Sequence, residues 1–137
     1  MLTTRDREGT PHGLTINAFS SLSLDPPLVM VAIDRGCTSV EAFEASGHYA
    51  VNILREEQRD LSIRFAELAE GRFTGVPWRP GVIGSPVIQG VLGVLECRTV
   101  QVVDAGDHRA LIGAVVEVWI GQGRPLIFFN SNYTALT

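Results

Sequence analysis

A chain of 137 residues with 45% hydrophobic and 19% charged residues has the apolar material for one domain with its own core and is too apolar for disorder. Its net charge of −4 excludes the basic field that holds a nucleic-acid backbone, so an anionic ligand must be held by local geometry. Cys37 and Cys97 have no paired spacing, no apolar run approaches the roughly 18 residues of a membrane span, and Met1 to Asp6 lacks the apolar stretch of a signal peptide. Reduced thiols and a cytoplasmic location are expected, with neither nucleic acid nor membrane as partner.

The chain opens on a short strand, Leu2 to Thr4, and the charged cluster Arg5 to Thr10 reads as a hairpin turn into a second strand at about His12 to Asn17. Pro26-Pro27 forbids a helix there, and the continuous apolar run Leu28 to Ile33 predicts a strand buried on both faces. Thr38 followed by Glu41 has the spacing of a capping box, which predicts a short helix from Thr38 to about Ser46, ended by Gly47. His48 to Leu54 is the next strand. Arg55 to Glu70 carries the one long helical pattern, with Leu61, Phe65 and Leu68 on a single stripe. Gly75 to Gly90, rich in Gly and Pro, is expected to be mostly loop. Val91 to Val103, Arg109 to Ile120 and Pro125 to Asn130 read as three further strands, the first two joined by a turn at Asp104 to His108. Strands without regular helix alternation predict a mainly β protein, an antiparallel barrel with helices at its periphery.

No Gly-x-Gly-x-x-Gly, phosphate-loop or nucleophile-elbow pattern is present. The three histidines and two cysteines share no metal-ligand spacing, so no metal site is expected. Hydroxyl and amide side chains gather at Thr15, Asn17, Ser20, Ser21 and Ser23. In a regular strand the odd positions of this run share one face, and such short polar groups suit a planar heterocycle bearing carbonyls and ring nitrogens. By themselves they are equally the serines of a polar edge strand. A second cluster, Asp34-Arg35-Gly36-Cys37-Thr38-Ser39, combines free N–H groups at a helix start with hydroxyls and a guanidinium, the makings of a phosphate cradle or of a simple cap. The third is Asp107-His108, a turn histidine able to hydrogen-bond a ligand or simply to sit in solvent.

In order along the chain, these pieces resemble the flavin reductase-like family. The resemblance rests on His12-Gly13-Leu14-Thr15, Asn17 through Val29, Phe43-x-x-Ser46, Tyr49 through Leu54, Gln58 with Leu61, and Phe65-Ala66. Gly84-x-Pro86, Leu95-Glu96-Cys97, Gly106-Asp107-His108, Ile112-Gly113 and Pro125-Leu126 complete it. It implies the FMN-binding split barrel, an antiparallel Greek-key β-barrel, as a single domain over residues 1–137 in which the usual N-terminal helix is absent or trimmed. It implies FMN or FAD at a homodimer interface, with the ring near Thr15, Asn17, Ala18, Ser20 and Ser21. The phosphate falls near Cys37, Thr38 and Ser39, with Arg64 as a further candidate, and Tyr133 borders the pocket. His108 matches a histidine beside the nicotinamide and is the expected catalytic residue; Arg109, next to it, is the candidate partner for a 2′-phosphate. The implied activity is hydride transfer from NADH or NADPH to flavin, which supplies a flavin-dependent monooxygenase. The alternatives are a tightly bound FMN protein acting as an electron carrier or oxidoreductase, and a non-catalytic dimeric module.

Overall fold

The computed structural model describes residues 1–137 and is mainly β. The strands are β1 (Leu2–Arg5), β2 (Pro11–Leu14), β3 (Phe19–Leu24), β4 (Pro27–Asp34), β5 (His48–Ile53), β6 (Trp78–Pro80), β7 (Pro86–Ile88), β8 (Gly93–Ala105), β9 (His108–Ile120), β10 (Ile127–Phe129) and β11 (Asn132–Thr134). The helices are α1 (Val40–Ser46) and α2 (Arg59–Glu67), the latter preceded by one 3-10 turn at Glu56–Gln58. Neither helix is long and apolar enough to cross a membrane.

Seven strands pair antiparallel in the order β2-β1-β5-β8-β9-β4-β3. β2 and β3 follow each other in the chain yet form the two edges of this sheet, and only Thr15, Ile16, Asn17 and Ala18 join them. Laid flat, seven strands span about 29 Å between the outer two. The link from Leu14 to Phe19 reaches at most about 18 Å. The sheet therefore curls until its edges approach, which gives a barrel split along one seam, the expected architecture.

Alternation along each strand divides the apolar residues into two cores. One fills the barrel and unites Leu2, Leu14, Val29, Val31, Ile33, Tyr49, Val51, Cys97 and Leu111, with Phe43 of α1 added. The other lies outside the sheet, where Met1, Ala50 and Val94 meet Phe65 of α2 and Val87, Ile88 and Val91. Phe65 also packs edge-on against Phe73 with ring centroids 4.9 Å apart. Inside the barrel the Tyr49 hydroxyl donates to the Leu111 carbonyl at 3.2 Å. Burial pushes the Cys97 thiol up to about 12 and holds the Tyr49 hydroxyl well above its ordinary range, so both stay neutral.

Several boundaries differ from the sequence expectation, each for a local reason. The second strand ends at Leu14, because Thr15 leaves the ladder for α2: its N–H donates to Phe65 O at 3.4 Å and its hydroxyl to Ser62 O at 2.6 Å. The polar run is thus no single regular strand, and Phe19–Leu24 starts anew on the opposite edge with a bulge between Ser21 and Ser23. β4 buries only Val29, Val31 and Ile33, its other face being half-covered, so it is not buried on both sides. Thr38 does not cap α1. The turn closed by Cys37 N–H on Asp34 O delays the helix by one residue to Ser39, whose side chain makes no capping bond. Gly47 ends α1 with φ of 73°, as expected. α2 stops at Glu67 rather than Glu70, and Leu68 turns outward in extended conformation. The loop from Gly75 to Gly90 contains the small β6–β7 hairpin, and the C-terminal segment folds back as the β10–β11 hairpin.

The barrel interior is filled at Gly113, where an added Cβ would collide with the Tyr49 ring and lie 2.8 Å from Cys97 Cβ. Gly113→Ala is expected to cost about 1–3 kcal/mol by overpacking. Urea unfolding of the two proteins measures it, and equal midpoints would show that the interior has slack.

Candidate active site

The seam of the barrel is also where a cleft opens, with a volume of about 570 Å³. Residues Leu14 to Phe19 run along it, and the lining also includes Met1, Ala32 and Asp34 of β4, the end of β5 with Leu54, Ser62 and Ala66 of α2, His108, and Leu126, Phe128 and Tyr133. Of the residues singled out in the sequence, Thr15, Asn17, Ala18, His108 and Tyr133 meet here.

The sheet register builds a shelf beside this seam. Met30 pairs with Ile112, Ala32 with Ala110 and Asp34 with His108, so these six side chains share the outer face of β4 and β9. The two alanines leave the middle of the shelf low and flat. Ala18 is fixed beside it at the edge of β4, since its carbonyl accepts the Ala32 N–H at 3.0 Å, while the Asn17 carbonyl accepts the Phe19 N–H at 3.0 Å in a tight turn.

One end of the cleft is walled by Tyr133. Its hydroxyl lies 2.8 Å from Ser62 Oγ, Phe128 meets its ring at a centroid distance of 5.2 Å, and the Arg59 guanidinium stands 5.3 Å over its face. The turn of this hairpin uses Asn130 and Ser131 at positive φ. Ser62 therefore serves both walls: its carbonyl holds Thr15 and its hydroxyl holds Tyr133.

At the other end stands His108. Its Nδ1 lies 2.6 Å from Asp107 Oδ1, which leaves Nε2 as the ring nitrogen without a protein partner. The hydrogen bond from His108 holds the Asp107 carboxyl below the usual carboxylate range. The Arg35 N–H donates to Asp107 O at 2.9 Å, so the turn carrying His108 and the loop after β4 are joined. That loop contains Cys37, Thr38 and Ser39, just past Asp34 on the cleft wall. Gly36 N–H is taken by Asp34 Oδ1 and Cys37 N–H by Asp34 O, whereas the N–H groups of Thr38 and Ser39 donate to no protein acceptor. Thr38 is exposed and Ser39 is buried.

The remaining candidates lie apart from the cleft lining. Ser20 pairs with Met30 and shares the face of the shelf, while Ser21 pairs with Val29 and faces the other way. Both are exposed, and Ser20 Oγ donates to Ser21 O at 3.0 Å. The Arg64 guanidinium donates to the carbonyls of Gly71 (3.0 Å) and Thr74 (2.6 Å) and so ties down the loop that follows α2.

Sequence reasoning missed Asp34 as a wall residue, the alanines of the shelf, and Ser62. The last left a signal: a hydroxyl buried next to Leu61 and one turn before Phe65 needs a partner. A flat shelf of small side chains, short polar groups along one edge and two free backbone N–H groups beyond the other end fit a planar heterocycle carrying a phosphate.

Comparison with known proteins agrees with that arrangement. The family model described as a flavin reductase like domain matches residues 1–137. The reductase subunit HsaB of a flavin-dependent monooxygenase from Mycobacterium tuberculosis is 40% identical over 132 residues, 94% of this chain and 71% of that protein. A flavin reductase from Pseudomonas putida is 36% identical over 133 residues, 96% of this chain and 78% of its own. Among solved structures, nitrilotriacetate monooxygenase component B from Mycobacterium thermoresistibile superposes with a TM-score of 0.94 at 39% identity, covering 99% of this chain and 77% of that one.

Tyr133→Phe keeps both ring contacts and deletes only the bond to Ser62. The expected loss is about 0.5–1.5 kcal/mol, read by urea unfolding, together with faster amide exchange in β10 and β11. Unchanged exchange there would mean that the hydroxyl does not hold the hairpin.

Proposed function

Because the chain belongs to the flavin reductase-like family, we propose that it is an NAD(P)H-dependent flavin reductase whose reduced flavin feeds a separate flavin-dependent monooxygenase. The observation that carries this reading is the convergence of Thr15, Asn17, Ala18, Tyr133 and His108 on one cleft beside a flat shelf. Relatives that match most of the chain are reductase subunits of such monooxygenase systems.

A bound flavin supplies the hydride-accepting ring. The protein's own part is to hold and orient, which accounts for a site without a strong acid–base pair. In this reading the segment Thr15 to Ala18 offers backbone and short polar groups to the ring edge, and Ser20 extends that edge on the shelf face. The free N–H groups of Thr38 and Ser39 take the phosphate, with Cys37 beside them. His108, oriented by Asp107, presents Nε2 to the carboxamide of the nicotinamide. Tyr133, Phe128 and Leu126 shield one end from water. FMN and FAD share the ring and the first phosphate, so either satisfies these contacts.

Residues 1–137 make up one flavin-binding domain in this reading, working in the cytoplasm as a homodimer. Apolar side chains left exposed on sheet strands support the dimer: Phe19, Leu22 and Leu24 on β3 and Val116, Val118 and Ile120 on β9, with Leu24 at 92% and Ile120 at 78% exposure.

Mixing the protein with NADH or NADPH and FMN or FAD in a stopped-flow spectrophotometer is expected to bleach the visible flavin band; no bleaching with any pair sinks the proposal. His108→Gln is expected to lower kcat/KM for the nicotinamide nucleotide roughly 10- to 100-fold, the worth of one hydrogen bond to a charged or strongly polar partner. Dialysis is expected to strip the flavin, and colour retained through it marks a prosthetic group in place of an exchanging substrate.

A further inference from the structure

Several polar side chains of the cleft are already spent on the protein itself. The Thr15 hydroxyl donates to Ser62 O at 2.6 Å. Asn52 gives its amide hydrogens to Thr3 Oγ1 at 2.9 Å and Pro86 O at 3.4 Å, and its Oδ1 takes the Ile88 N–H at 3.0 Å. The side-chain donors left for a ligand are the Asn17 amide, His108 and one hydrogen of the Ser62–Tyr133 pair.

Two hydroxyls 2.8 Å apart carry two hydrogens and share one bond, so one hydrogen is unspent. Burial decides which. Ser62 is only 3% exposed, and its Oγ has no partner besides Tyr133. Were Tyr133 the donor, the Ser62 hydrogen would be buried without an acceptor. Tyr133 is half-buried and stands on the cleft wall. Ser62 therefore donates, Tyr133 accepts, and the phenol hydrogen is the one left for the cleft. Phe128 and the Arg59 guanidinium hold the ring that carries it, so this donor is fixed before a ligand arrives. Leu126, Phe128 and Ala66 make the wall around it apolar, which strengthens a hydrogen bond formed there.

We infer that Ser62 is a positioning residue: by donating to Tyr133 it frees the phenol hydrogen, which Tyr133 gives to a carbonyl oxygen of the flavin ring. This inference rests on the reductase reading of the cleft. In that reading the phosphate lies on the Thr38 and Ser39 N–H groups, beyond His108 and at the far end from Tyr133, so the ring is the part of the flavin that reaches Tyr133. The carbonyl oxygens belong to the pyrimidine end of the ring. The dimethylbenzene end has no acceptor and would strand the donor once water is displaced. The ring accordingly lies with its pyrimidine end toward α2.

The test measures Kd by fluorescence titration for FMN and for lumiflavin, which has the ring but neither ribityl chain nor phosphate. The proteins are the wild type, Tyr133→Phe, Ser62→Ala and the double variant, each verified as folded by circular dichroism. Tyr133→Phe is expected to raise both Kd values about 3- to 10-fold and by the same factor, the worth of one hydrogen bond to the shared ring. Ser62→Ala is expected to raise both at least about twofold, and to add nothing in the Tyr133→Phe background, because it acts through that hydroxyl. An unchanged lumiflavin Kd in Tyr133→Phe overturns the inference, and so does a loss confined to FMN, which assigns the contact to the ribityl phosphate. Full additivity in the double variant overturns the role of Ser62. Should Tyr133→Phe not fold, Ser62→Ala decides alone, and an unchanged lumiflavin Kd there overturns the inference. A wild type that binds no flavin overturns the reductase reading, and this inference with it.

Discussion

Four residues between β2 and β3 constrain the rest of the molecule. Because Thr15 to Ala18 must connect opposite edges of a seven-stranded sheet, the sheet can neither stay flat nor close its hydrogen-bond ladder at the join. The unclosed seam leaves polar backbone without strand partners. Thr15 finds its partners on α2, and Ala18 finds one on β4. Those anchors set the walls of the cleft, so the link that curls the sheet also frames the site.

Anion binding on this acidic chain has to be local. Net charge offers no attraction, no arginine lines the cleft, and Arg64 of α2 is tied to carbonyls of the protein itself. What the proposed reading turns to are backbone dipoles, the unpaired N–H groups at Thr38 and Ser39, which would bind by direction and distance more than by charge. A site of this kind discriminates through shape and through which charges it leaves uncommitted.

Much of this was legible in the sequence where a pattern is local. Strand runs, the glycine that ends α1 and the hairpin turn at Gly106-Asp107-His108 follow from residue chemistry within a few positions, and the family motifs supplied the order of the site residues. The break at Leu14 was not legible, because it depends on Ser62 and Phe65, some fifty residues away, offering better partners than a continued strand. Continuous hydrophobicity in β4 misled for a similar reason: Met30 and Ala32 form the shelf and are only half-buried, a distinction set by register against β9. Arg64 lies on the predicted helix, yet its direction was decided by the early end of α2 and the loop that folds back under it. Long-range partners decided each of these points.

Gly113 has a consequence beyond packing. By making room for Tyr49 it lets the barrel be solid, with a ring where a lipocalin-like fold would keep a chamber. Any ligand is thereby confined to the outer surface of the sheet. A ligand on that surface is reached without opening the barrel, whose packed interior stands apart from the cleft walls. A filled barrel thus separates what makes the fold durable from what the cleft does.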